Sequence, residues 1–162
     1  MHPALRPARP DDVDRIHQLV VDLATYERAA DQVRATPEQL RAALFAPASA
    51  VHALVAEDGT GTVVGFALWF LNFSTWEGVH GLYLEDLYVE PGHRGSGLGR
   101  ALLQALAEIA VERGHARVEW SVLDWNAPSI GFYRRLGARP MDGWTVFRLT
   151  GDALHAVAGA QG

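Results

Sequence analysis

The chain has 162 residues, a formal net charge of −5, 49% hydrophobic and 20% charged residues, and no cysteine. That length suits one domain with a full core, the composition is that of a globular protein, and the absence of thiols excludes disulfides, thiolate metal sites and a cysteine nucleophile. The acidic balance argues against nucleic acid as a partner, and with no apolar signal region or membrane-length run the expectation is a cytoplasmic protein without a membrane partner.

Asp11-Asp12 offers an N-cap to a helix whose apolar residues Val13, Ile16, Leu19, Val20 and Leu23 recur at helical spacing. Thr36 with Gln39 forms the pattern of a capping box for a short second helix carrying Leu40, Ala43 and Leu44. Val51 to Ala56 and Val63 to Phe73, separated by Asp58-Gly59, read as a hairpin. Gly78 and Gly81 precede a strand from Leu82 to Val89. A helix from Leu98 to Glu112 aligns Leu102, Leu106 and Ile109 along one face and ends at Gly114.

Arg117 to Leu123 reads as the next strand. Pro128 stands near the start of a helix running through Phe132 to Leu136 and closed by Gly137, a place where proline removes no intrahelical bond. Trp144 to Leu149 is expected as a last strand, and Gly151 to Ala158 as a short helix or frayed tail. Helices alternating with strands around a central hairpin imply a mixed α/β (α+β) sheet flanked by helices, in a single domain over residues 1–162.

The stretch most directly tied to chemistry runs from Leu82 to Arg100. Its strand breaks at Pro91-Gly92 and passes through Gly95, Gly97 and Gly99 into a helix. Backbone amides converging at a helix N-terminus suit a phosphate, and Arg94 and Arg100 add fixed positive charge beside it. A dinucleotide fingerprint counted from Gly95 would need glycine where Arg100 stands, and no Gly-Lys-Ser/Thr is present for a P-loop. Glu85 and Asp86 interrupt the strand. Consecutive strand side chains point to opposite faces, so in a sheet covered on both sides at least one carboxylate must leave bulk water. A pocket for an ammonium ion compensates that cost; a structural edge residue is the other reading for Asp86. Seven histidines are scattered without ligand-like spacing, so no metal is expected.

Arg94-x-x-Gly97-x-Gly99 resembles the signature of the GNAT superfamily of acyl-CoA-dependent N-acetyltransferases. The segments Leu23 to Glu27, Leu82 to Val89, Asn126 to Tyr133 and Gly143 to Phe147 are similar to its spermidine/spermine (diamine) and thialysine acetyltransferase branch. The resemblance implies the GNAT fold, a mixed, mainly antiparallel sheet flanked by helices, and acetyl transfer from acetyl-CoA to a primary amine of a small cationic acceptor by direct attack. It also implies a homodimer with the acceptor site near the subunit boundary. Coenzyme contacts would come from Leu87, Tyr88 and Val89, from Arg94, Gly95, Ser96, Gly97, Leu98, Gly99 and Arg100, and from Asn126, Pro128, Ser129 and Tyr133. Asn126 fits a helix cap equally well. Tyr26, Glu27, Glu85 and Asp86 would bind the acceptor. Trp76 would wall its channel or serve only in packing.

An alkyl amine with a pKa of about 10.4 is protonated near neutrality and not nucleophilic. A base, or a water chain ending on one, must take its proton. Glu85 is the first choice for that task, with Asp86 as substrate anchor. Tyr133, which by composition alone reads as a packing residue, becomes by resemblance the acid for the departing thiolate. The rival readings are acetylation of an antibiotic or a protein amine, and a non-catalytic acyl-CoA sensor on the same fold.

Overall fold

The computed structural model describes residues 1–159. They form two compact units, Met1–Leu123 and a second beginning at Asp124. In the first, β1 (Leu5–Pro7), α1 (Val13–Tyr26), α2 (Pro37–Phe45), β2 (Val51–Glu57), β3 (Val63–Ser74), β4 (Val79–Val89), α3 (Leu98–Glu112) and β5 (Val118–Glu119) follow in chain order. The strands lie in the same order across one sheet. Pairing is antiparallel from β1 to β4, and β5 joins β4 in parallel.

Each sheet face has its own helical cover. Phe66 and Leu68 of β3, Ala53 and Val55 of β2 and Tyr88 of β4 pack with Ile16 and Leu19 of α1 and Leu44 of α2. Strand alternation sends Leu54, Ala67, Leu82 and Leu84 to the other face, where α3 packs on β2, β3 and β4 and buries Leu102 and Leu106. Burying each such leucine is worth about 1.5–3 kcal/mol. Thr36 and Gln39 cap α2 reciprocally as their spacing predicts, at 3.3 and 3.0 Å.

Asp12 does not cap α1 as expected. Its carboxylate accepts the Arg9 amide at 2.7 Å and both Nη atoms of Arg6 at 2.7 and 2.9 Å. The Arg6 hydrogen bonds foremost hold the Asp12 carboxyl below the usual carboxylate range. Arg6 Nε also meets Glu57 at 2.7 Å, so one guanidinium ties β1 to β2 and to the start of α1.

Two expected strands change, and one that was not expected forms. β1 was not expected: it is three residues long and ends in proline. The strand read over 117–123 shortens to Val118–Glu119, which pairs with Leu82 and Tyr83 of β4. No strand forms over 144–149 among the described residues. Its apolar residues Trp144, Val146, Phe147 and Leu149 break the period of two at Val146-Phe147, so no single face is apolar throughout. The second unit otherwise contains α4 (Ala127–Arg135), ended at Gly137, and α5 (Gly151–Val157).

Candidate active site

β4 is bulged in its middle. Leu68 of β3 pairs with Asp86 and the next residue, Trp69, with Leu84, so Glu85 has no partner of its own. The extra residue shifts the phase of the strand. Leu82 donates its amide toward β5, to Arg117 O at 2.9 Å, whereas Glu90, an even number of residues on, donates toward β3, to Val64 O at 2.9 Å. Past the bulge, therefore, Leu87 and Val89 turn their main-chain groups away from β3. β5 pairs with β4 only at Leu82 and Tyr83, so among the described residues no strand pairs with the rest of β4 on that side.

The bulge also alters the expected disposition of the acids. Asp86 and Tyr88 share the face of Leu68 and Phe66, the face covered by α1 and α2. Asp86 is half-buried, and Glu85 is exposed. Burial first, then the charges of Glu85 and Glu27, push the Asp86 carboxyl up to about 6. Strict alternation would have sent the neighbouring acids to opposite faces. Here the charges of both Glu85 and Glu27 bear on Asp86.

Glu27 is the C-cap of α1 and directly follows Tyr26. The helix ends in a Schellman turn, with Ala29 N on Ala24 O at 2.8 Å and Arg28 N on Thr25 O at 3.1 Å. Arg28 holds the left-handed position with φ 61°, where glycine is usual. That costs roughly 1 kcal/mol, and it orients the end of the helix that carries Tyr26 and Glu27. Burial raises the Glu27 carboxyl above its ordinary value.

After β4 the chain makes a single 3-10 turn, Pro91–His93, and reaches α3 through Gly95 and Gly97. Their φ values of 80° and 91° lie in the left-handed region that favours glycine. No group among the described residues accepts from the amides of residues 95–100. A Cβ at Gly99 would meet only Val89 Cγ2, at 4.0 Å, so the protein's own packing does not demand glycine there. Successive free amides with room above them fit a diphosphate. Arg94 is occupied differently from the expectation. Its Nε donates to Val89 O at 3.0 Å, and its guanidinium carbon lies 5.1 Å from the Tyr26 ring centroid and 5.4 Å from that of Tyr88.

Trp76 belongs to the turn between β3 and β4 and is 87% exposed. From Val79 to Glu85 the strand advances about 20 Å, so within one chain Trp76 is not brought to the acids. In the second unit Asn126 Oδ1 accepts the Ser129 amide at 3.3 Å, capping α4, with Pro128 in its first turn. Tyr133 lies on the same helix, half-buried, its ring 5.4 Å from that of Phe132.

Residues 13–138 match the family model described as acetyltransferase (GNAT) family. The chain belongs to the GNAT acetyltransferases. The match takes in the acidic group, the amide nest and α4 with Tyr133. Thialysine N-epsilon-acetyltransferase of Bos taurus is 38% identical over 96% of this chain and 96% of its own. L-ornithine N5-acetyltransferase NATA1 of Arabidopsis thaliana is 31% identical over 97% of this chain and 88% of its own. Among solved structures, an integron cassette protein of V. cholerae superposes with a TM-score of 0.78 at 24% identity, covering 95% of this chain and 96% of that one, a likeness of fold. This GNAT enzyme thus has the mixed, mainly antiparallel sheet expected of it.

Proposed function

We propose that this acetyltransferase moves the acetyl group of acetyl-CoA to a primary amine of a small cationic acceptor, by direct attack in a ternary complex. The observation that carries the reading is the half-buried Asp86 at the bulge of β4, next to Glu85, with its carboxyl pushed up to about 6 by burial and by the charges of Glu85 and Glu27. The relatives named for thialysine and ornithine support a side-chain amine as the acceptor; polyamines fall in the same chemical class.

The donor supplies an activated acyl thioester. The amides of residues 95–100 hold its diphosphate, the outward main chain of Leu87 and the Val89 amide align its arm, and Asn126, Pro128 and Ser129 add contacts. The acids draw in the ammonium form, whose proton must then be removed. Glu85 was the first choice for that step from sequence. Burial favours Asp86, because a carboxylate with a raised pKa is the stronger base, and leaves exposed Glu85 to attract the ammonium ion. Tyr133, a phenol with an ordinary pKa of about 10, holds a proton for the departing thiolate.

The enzyme works as a homodimer in this reading, and any part for Trp76 in the acceptor site comes through the second chain. The test is coenzyme release across thialysine, ornithine, spermidine, an aminoglycoside and a peptide N-terminus. Turnover on the first three is the expected result. Release only with the last two, or calorimetry showing no affinity for coenzyme A, would remove the proposal. With no lysine in the chain, acetyl-lysine cannot arise from self-modification.

A further inference from the structure

We infer that Arg94, the first residue of the glycine signature, is a positioning residue that couples the donor site to the acceptor site, and that its side chain is not a ligand of the diphosphate. The inference rests on the proposed function and deepens it.

The side chain is committed on several sides. Nε is bonded to Val89 O at 3.0 Å, and the cation lies over two aromatic faces, Tyr26 and Tyr88, within the range of cation–π attraction. Those rings belong to the two elements that carry the acids. Tyr26 is the last residue of α1 and precedes Glu27; Tyr88 lies two residues past Asp86 on the same face of β4. Arg94 therefore spans the two walls of the acceptor pocket and sets the spacing of Glu27 and Asp86.

Its own backbone opens the loop whose next amides, 95–100, hold the diphosphate. A ligand that orders those amides restrains Arg94, and through it the end of α1. The coupling works in both directions, since an acceptor drawn between Glu27 and Asp86 fixes the rings on which Arg94 rests. The other half of α1 is anchored separately, by Arg15 to Glu90 at 2.7 Å and to Val63 O at 2.8 Å. Losing Arg94 should thus loosen the helix end without releasing the helix.

The experiment measures the dissociation constant of coenzyme A by calorimetry with and without saturating acceptor, and the acceptor KM. The acceptor is whichever of thialysine, ornithine and spermidine the wild-type enzyme acetylates fastest. The proteins are wild type, Arg94→Gln, Arg94→Lys and Tyr26→Leu. In wild type, acceptor should tighten coenzyme A binding several-fold. In Arg94→Gln the acceptor KM should rise about tenfold, the affinity for coenzyme A alone should change less than threefold, and the tightening by acceptor should vanish. Arg94→Lys, which keeps the charge without the flat guanidinium, should recover only part of the coupling. Tyr26→Leu should abolish the coupling independently, which covers the case of an Arg94 variant that does not fold. Retained coupling in Arg94→Gln or in Tyr26→Leu would overturn the inference. So would a tenfold loss of coenzyme A affinity with an unchanged acceptor KM. A wild-type enzyme that acetylates none of the three amines would instead remove the proposed function, and this inference with it.

Discussion

Asp86 combines a catalytic use with a structural cost. Its carboxyl moves from an ordinary 3.8 to about 6, chiefly through burial. The folded protein binds that proton more tightly than the unfolded chain. Stability is therefore greatest below the unfolded value and falls as pH rises through the window from about 4 to about 6. At neutral pH the penalty is about 2–3 kcal/mol. Asp86→Asn should raise the urea-unfolding free energy by roughly 2 kcal/mol at pH 7 and bring no gain near pH 3.5, while abolishing turnover. A variant equally stabilised at both values would show that the ionised form is not what costs stability. Glu85→Gln removes a neighbouring negative charge, so it should slide the acidic limb of the pH–rate profile to lower pH. If the limb instead disappears, Glu85 is the proton acceptor and Asp86 the anchor.

At the scale of elements, the turn into α3 separates what the fold needs from what the ligand needs. Gly97 is required by its left-handed backbone, whereas Gly99 is helical and has room for a methyl group. Gly99→Ala should stabilise the ligand-free enzyme by up to about 1 kcal/mol through helix propensity and weaken coenzyme A at least tenfold, read by thermal melting and calorimetry. Unchanged coenzyme A affinity would mean that no ligand backs onto that glycine. The boundaries of α3 were legible because its period and its flanking glycines agree, and so was α2 with its capping box. The bulge in β4 was not, since Leu82 to Val89 reads as one unbroken strand interrupted by acids, and only pairing with β3 shows the extra residue. The end of α1 at Tyr26 and Glu27 was legible through the family resemblance, but the turn that closes it was not, because Arg28 occupies the position where glycine would have marked it. The left-handed turn into α3 was legible through the glycine motif. The use of Arg94 was not, because its aromatic partners come from two other elements.

For the whole molecule, the second unit leaves Val146 85% and Phe147 92% exposed, with Leu149 and Met141 also exposed. Exposed apolar residues grouped in one segment mark an association surface, which accords with the homodimer of the proposed function. Light scattering at working concentration should give the mass of two chains, and Phe147→Ser should shift it toward one; a wild-type monomer would count against the dimer. The bulge and the two-residue contact with β5 leave the main chain of Leu87 and the Val89 amide without a strand partner on that side among the described residues. Such a rim accepts any extended chain as an added strand. In the proposed reading the coenzyme arm, with amide groups of its own, would pair there as a borrowed strand. On that reading coenzyme A should protect the enzyme from clumping, and short linear peptides should compete with the donor.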